Sequence, residues 1–246
     1  MASPAVVEVY WGYPSMLEQS IGLLDPLEQG RLDTLYRPRD RDRYLTAHAL
    51  MRLVLADHTG IEPGQQRFTR TCRICGGPHG KPKLVPGGAW TGLVVPHVSL
   101  SYAGNRVLVA LSYAEELGVD VDRWAATAFP GFSALALTEA EAAELIAFRP
   151  QDRTAAKTVW WVRKEAALKA TGHGLRVDTA SLRVTPPDQP PRLLAWDDAE
   201  VPAPTLTMAD LPVEGQYAAA VAVLGEHDLE VRMHDANDRL TLLAVS

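Results

Sequence analysis

The chain has 246 residues, 47% of them hydrophobic and 22% charged, which is the composition of a globular protein able to bury a sizeable core. Its formal net charge of −6 argues against general nucleic-acid binding, and no apolar run approaches the roughly 20 residues of a membrane span. Two cysteines do not make a disulfide framework, and the first residues lack a charged stretch followed by an apolar core, so the cytosol is the expected compartment.

Val6 to Trp11 predicts a first strand, with Val7, Glu8 and Val9 alternating. Asp25-Pro26-Leu27-Glu28 is a helix start: an N-cap, a proline at the first position and an acid in the first turn. Five arginines (31, 37, 39, 41, 43) mix with Asp33, Asp40 and Asp42, a pattern that reads as a solvated helix face. From Asp40 to His58 the spacing predicts a long helix with Leu45, Ala49, Leu53 and Ala56 on its apolar stripe, ended by Gly60.

Residues 67–83 read as a loop rich in positive charge, glycine and proline. Within it Cys72, Cys75 and His79 offer three metal ligands where structural zinc wants four. Free thiols in a turn are therefore the expectation, and zinc completed by His97 or a carboxylate is the alternative. Gly87, Gly88 and Gly92 suggest a flexible connection, followed by buried strands at Val94–Leu100 and Arg106–Ser112.

The stretch from Gly118 to Leu175 carries the chemistry. Leu117, Val119 and Val121 alternate with Gly118, Asp120 and Asp122, which predicts a half-buried strand with both aspartates on one face. A loop over 125–132 and a capping box at Thr138–Glu141 follow, with a helix reaching Phe148 and stopped by Pro150. A long helix spans 152–171, and Gly172 ends it. Trp161, Glu165 and Lys169 recur at i, i+4, i+8 and share one face of that helix. Asp120, Asp122 and Glu165 could converge into an oxygen-rich cage suited to Mg²⁺, with Lys164 and Lys169 neutralising phosphate oxygens. Alone, the D-x-D is more often a solvated turn and Glu165–Lys169 a surface ion pair. Phosphoryl transfer is the reading of the combination. Beyond Gly174, Ser181–Thr185, Arg192–Trp196, Tyr217–Leu224 and Leu229–Met233 are expected strands of an antiparallel sheet. The order of elements suggests α+β with two halves, 1–115 and 116–246.

Gly118-Val119-Asp120-Val121-Asp122, followed about forty residues later by Trp161, Lys164, Glu165, Lys169, Gly172, Gly174 and Leu175, resembles the motifs of the Sfp-type 4′-phosphopantetheinyl transferases. The resemblance implies two similar α/β halves in a pseudo-twofold arrangement, with coenzyme A bound between them. It implies transfer of 4′-phosphopantetheine from coenzyme A to a serine of an apo acyl or peptidyl carrier protein, releasing adenosine 3′,5′-bisphosphate. Mg²⁺, with Mn²⁺ as a substitute, would sit on Asp120, Asp122 and Glu165. Lys164 and Lys169 would stabilise charge on the diphosphate, and Glu165 or a water would act as base. The N-terminal half would meet coenzyme A through Arg43, with Arg31 and Arg52 at nearby matching places, through Lys81 and Pro82, and through Ser101 and Tyr102. Tyr102 stands where the family has a histidine for the 3′-phosphate, and Asp122 where it often has glutamate. Both departures favour, as an alternative, a non-catalytic coenzyme A or carrier-binding protein on the same scaffold. A zinc-dependent interaction module built on Cys72, Cys75 and His79 is a second alternative. A monomer without nucleic-acid or membrane partners is expected.

Overall fold

A computed structural model describes residues 4–87 and 91–244; Gly88 of the expected flexible connection and the side chain of Leu175 lie outside the described residues. The chain divides into two compact units. One holds Val6–Ala114 together with the chain from Val231 onward. The other holds Glu115–Glu230 with the start of the chain up to Ala5. Both mix helices with antiparallel strands, the α+β class expected from the sequence.

In the first unit β1 (Ala5–Gly12), β4 (His97–Ala103), β5 (Arg106–Ser112) and β11 (Leu229–Asp235) form a sheet in the order β11-β1-β5-β4. β4 runs to Ala103 and turns through Gly104, whose φ of 57° is the left-handed conformation that a tight turn needs. Ser101 and Tyr102 are therefore strand residues. Helix α1 (Pro26–Asp33) starts at Asp25 with a full capping box through Glu28. Helix α2 (Pro38–Thr59) ends at Gly60 as expected, but it is buried on most sides. Leu50, Met51, Val54 and Leu55 join Leu45 and Ala49 in the core, whereas Leu53 and Ala56 are half-buried. The predicted stripe was too narrow because segments 17–32 and 236–240 join the sheet in enclosing the helix. The loop over 67–83 is closed at its base by a short hairpin, β2 (Phe68–Thr69) with β3 (Lys83–Leu84).

In the second unit β6 (Leu117–Arg123), β10 (Tyr217–Leu224) and β9 (Leu206–Asp210) form a three-stranded antiparallel sheet. Helix α5 (Arg153–Thr171) covers one face, ending at Gly172 with φ 73°. The face under it is built of small residues. Gly118, Asp120 and Asp122 pair with Ala222, Ala220 and Ala218, and Ala166, Ala167 and Ala170 of the helix pack on them. A Cβ on Gly118 would lie 2.1 Å from the Ala166 carbonyl oxygen and 2.4 Å from the Ala170 nitrogen. Only glycine admits the helix this closely. Consequently β6 is buried on both faces through Val121, not half-buried as the alternation suggested. A 3-10 turn at Trp124–Thr127 cuts into the expected loop, helix α3 (Phe132–Ala136) begins at its last residue, and α4 (Glu139–Leu145) starts at the predicted capping box but stops short of Phe148.

The C-terminal strands do not form one sheet. β7 (Leu182–Val184) and β8 (Leu193–Trp196) pair with each other, β10 pairs with β6 and with β9, which was not anticipated, and β11 belongs to the first unit. β9 is short and flanked by Pro204 and Pro212, so it gives little periodic signal. Helix α6 (Asn237–Ala244) closes the described chain. Among the described residues no helix is long and apolar enough to cross a membrane.

Candidate active site

The close seat of α5 on Gly118 decides what faces what. Helix and strand run past each other so that Trp161 reaches Asp122, while Lys169 reaches Asp120. Lys169 Nζ donates to Asp120 Oδ1 at 2.6 Å and to the Val119 carbonyl at 3.1 Å. Asp122 accepts the Arg123 backbone N–H at 2.8 Å and a hydrogen bond from the Trp161 side chain, so Trp161 is a donor as well as filler. Glu165 lies between these two rungs.

Electrostatics set this cluster apart. Glu165 Oε1 is buried and has no hydrogen-bond partner. Burial, then the charge of Asp120 and, more weakly, of Asp122 push the Glu165 carboxyl up to about 7 against the pull of Lys169. Burial and Asp120 also raise Asp122, against the hydrogen bonds it accepts. Three carboxylates crowded at Lys169 draw positive charge, and the orphaned Glu165 oxygen lacks a partner. Asp120, Asp122 and Glu165 form an all-oxygen donor set that fits a hard divalent cation, which would supply both.

Residues 116–222, the segment containing this cluster, match the profile of the ACPS family, described as the 4′-phosphopantetheinyl transferase superfamily. Over that segment, less than half of the chain, the sequence is similar to this superfamily of transferases. The 4′-phosphopantetheinyl transferase HetI of Nostoc sp. is 29% identical over 213 residues, 86% of this chain and 83% of HetI. The slr0495 protein of Synechocystis sp., provisionally named a 4′-phosphopantetheinyl transferase, is 33% identical over 156 residues, 62% of this chain and 58% of slr0495. A crystal structure of Thermotoga maritima holo-[acyl-carrier-protein] synthase aligns with 46% of this chain and 64% of its own, with TM-score 0.35 and 19% identity.

Lys164 is not at the acids, which corrects the expectation from sequence. Its ammonium is fully buried and donates to Glu141 Oε2 at 2.5 Å, Ala136 O at 2.7 Å and Thr179 O at 2.9 Å. All three N–H groups are used, so none remains for a phosphate. The i, i+4 rule separates the two lysines: Lys169 shares the face of Glu165 and Lys164 does not.

Arg52 is likewise corrected. It is fully buried and pairs with Glu28 through both terminal nitrogens, while Arg70 binds Glu28 and Asp25. Burial alone would raise the Glu28 carboxyl, but the hydrogen bond and charge of His48 and those of Arg52 outweigh it and bring it down to about 2. This is an ion-pair network inside the first unit, not a ligand contact. Its signal was present in sequence only as Glu28 in a helix's first turn.

Arg31 and Arg43 lie near Tyr102, since both charges act on its phenol; burial nevertheless keeps Tyr102 protonated well past neutral pH. Arg43 is partly exposed and donates to the Gly104 carbonyl at 3.1 Å and to Asp40. Ser101, adjacent on the same strand, projects from the face opposite Tyr102, so the structure does not bring it to that group. Lys81 and Pro82 are half-buried and lead into β3. Cys72, Cys75 and His79, expected to be ordinary turn residues, bring their ligand atoms within 4.8 Å of one another.

Proposed function

We propose that the chain transfers 4′-phosphopantetheine from coenzyme A to a serine hydroxyl of an apo carrier protein, in a reaction dependent on Mg²⁺. The observation that carries this reading is the buried, unpartnered Glu165 Oε1 facing Asp120 and Asp122. Asp120, Asp122 and Glu165 would hold the cation. When bound, it would neutralise diphosphate charge and so let an oxygen nucleophile approach phosphorus.

The chain's own residues then have distinct tasks. Lys169 uses two N–H groups on Asp120 and Val119 and keeps one for a phosphate oxygen on which charge develops. Glu165, or a water that it orients, would take the serine proton. Trp161 fixes the orientation of Asp122. In the N-terminal unit, Arg31 and Arg43 with the neutral phenol of Tyr102 are assigned to a phosphate of coenzyme A, and Lys81 with Pro82 to its adenine end. A phenol donates one hydrogen bond and no charge, so the two arginines carry the electrostatic part of that contact. The other product is adenosine 3′,5′-bisphosphate.

Intact mass of an apo acyl or peptidyl carrier protein, incubated with coenzyme A, Mg²⁺ and this chain, tests the proposal. A phosphopantetheine mass gain with the native chain and none with Glu165→Ala is expected. Coenzyme A binding without transfer to any of several carriers would replace the proposal with the non-catalytic binding reading.

A further inference from the structure

The loop over 72–80 is built more tightly than a solvated turn requires. The Cys72 backbone N–H donates to the Gly77 carbonyl at 2.8 Å, and Gly76, with φ 72°, returns its N–H to the Cys72 carbonyl at 3.0 Å. The backbone N–H groups of Cys75 and Ile74 point at the Cys72 sulfur, and that of Gly77 at Cys75 Sγ, 3.4 Å away. Glycine is required at Gly80 and gives room at Gly77. A Cβ on Gly80 would lie 2.5 Å from the Thr71 carbonyl oxygen, and one on Gly77 would press on both Cys75 Sγ and the His79 ring. The Gly80 N–H also donates to the Arg70 carbonyl at 2.7 Å, which holds the exit of the loop against its entry. The result sets Cys75 Sγ 3.0 Å from His79 Nε2, with Cys72 Sγ within 4.8 Å of both.

We propose that Cys72, Cys75 and His79 bind one Zn²⁺. Zinc–sulfur bonds of about 2.3 Å and zinc–nitrogen bonds of about 2.0 Å in a tetrahedron set neighbouring ligand atoms roughly 3.5–3.8 Å apart. The 3.0 Å spacing and the 4.8 Å outer limit of the set lie on either side of that value, so small side-chain rotations suffice. Two thiols and an imidazole select a soft or borderline cation over Mg²⁺. Backbone N–H groups directed at the sulfurs orient the ligands and disperse their charge. Among the described residues no fourth side chain joins the set, so water or an added ligand completes the tetrahedron. Binding would close the 72–80 loop and fix the start of Gly80-Lys81-Pro82. The site stands whether or not Lys81 meets coenzyme A.

The test uses the full chain, purified without chelator, dialysed against Zn²⁺ in the presence of excess Mg²⁺, and analysed for metal. One zinc per chain is expected, lost in Cys75→Ser and in His79→Ala and kept in Glu165→Gln. The last variant separates this site from the carboxylate cluster, so failure of either assignment is read independently. In the native chain, Zn²⁺ should slow alkylation of Cys72 and Cys75, a readout independent of how the variants fold. Co²⁺ in its place should show thiolate charge-transfer and tetrahedral ligand-field bands. No retained zinc with unprotected thiols, equal zinc in the variants, or a chain two hydrogens lighter through a Cys72–Cys75 disulfide would each overturn the proposal.

Discussion

Lys169 Nζ stands 2.6 Å from Asp120 Oδ1 and 3.1 Å from the Val119 carbonyl, so one ammonium clasps both a side chain and the backbone of the strand beneath it. That grip aims the remaining N–H. Lys169→Met should therefore lower carrier modification by about 10²–10³-fold, the usual loss for a donor aimed at developing charge. Mg²⁺ binding should persist in calorimetry, because the lysine is not one of the three carboxylates. Loss of Mg²⁺ binding with unchanged transfer per bound metal would assign Lys169 to holding Asp120 alone.

Glu165 gives the metal-free protein a pH dependence with a definite sign. Its folded pKa of about 7 lies above the ordinary 4.5, so between these values the folded chain holds a proton that the unfolded chain releases. Stability of the metal-free protein should fall as pH rises from 4.5 to about 7 and level off above it, by on the order of 3 kcal/mol at most. Asp122, also raised, adds with the same sign. Urea melts in chelator should show this slope in the native chain and a smaller one in Glu165→Gln, which should be the more stable of the two at pH 8. A Glu165→Gln slope equal to the native one would place the charge strain elsewhere.

Lys164 and Glu141 are both fully buried, and removing one leaves the other without its counter-charge. Lys164→Met should destabilise the chain by about 3–5 kcal/mol in denaturant melts, and pairing it with Glu141→Leu should recover much of that. Activity should track the folded fraction. A Lys164→Met protein that is fully folded yet inactive would return this lysine to the chemistry.

Gly118→Ala tests the close approach of α5. The added methyl meets backbone of the helix, which cannot rotate away as a side chain can. A loss of about 1–3 kcal/mol or more is expected, with transfer falling further than stability as Glu165 and Lys169 move off the aspartates. Unchanged melting and transfer would show that helix and strand are less tightly joined.

The sequence was most legible where a local rule has one solution. The capping boxes at Asp25 and Thr138, the glycine stops at Gly60 and Gly172, and the shared face of Trp161, Glu165 and Lys169 all follow from short-range geometry. It was least legible where a partner distant in sequence decides. Lys164 looks like a phosphate ligand until Glu141, Ala136 and Thr179 surround it, and Arg52 like a surface cation until Glu28 meets it. The alternation of β6 suggested one solvated face because nothing local says that a helix lies on Gly118. Cys72, Cys75 and His79 lacked a visible fourth ligand, and the backbone closure that unites them involves contacts that spacing does not encode.

The sheet of the first unit is completed by β11, supplied by the far end of the chain. During synthesis, residues 6–114 emerge with β1 exposed along one side and must wait for more than a hundred further residues before β11 can pair with it. Residues 115–230 face no such delay once the short initial segment is available. The segment with the carboxylate cluster is thus free to fold first on the ribosome, and a nonsense codon near residue 228 would damage chiefly the part of the protein translated earliest.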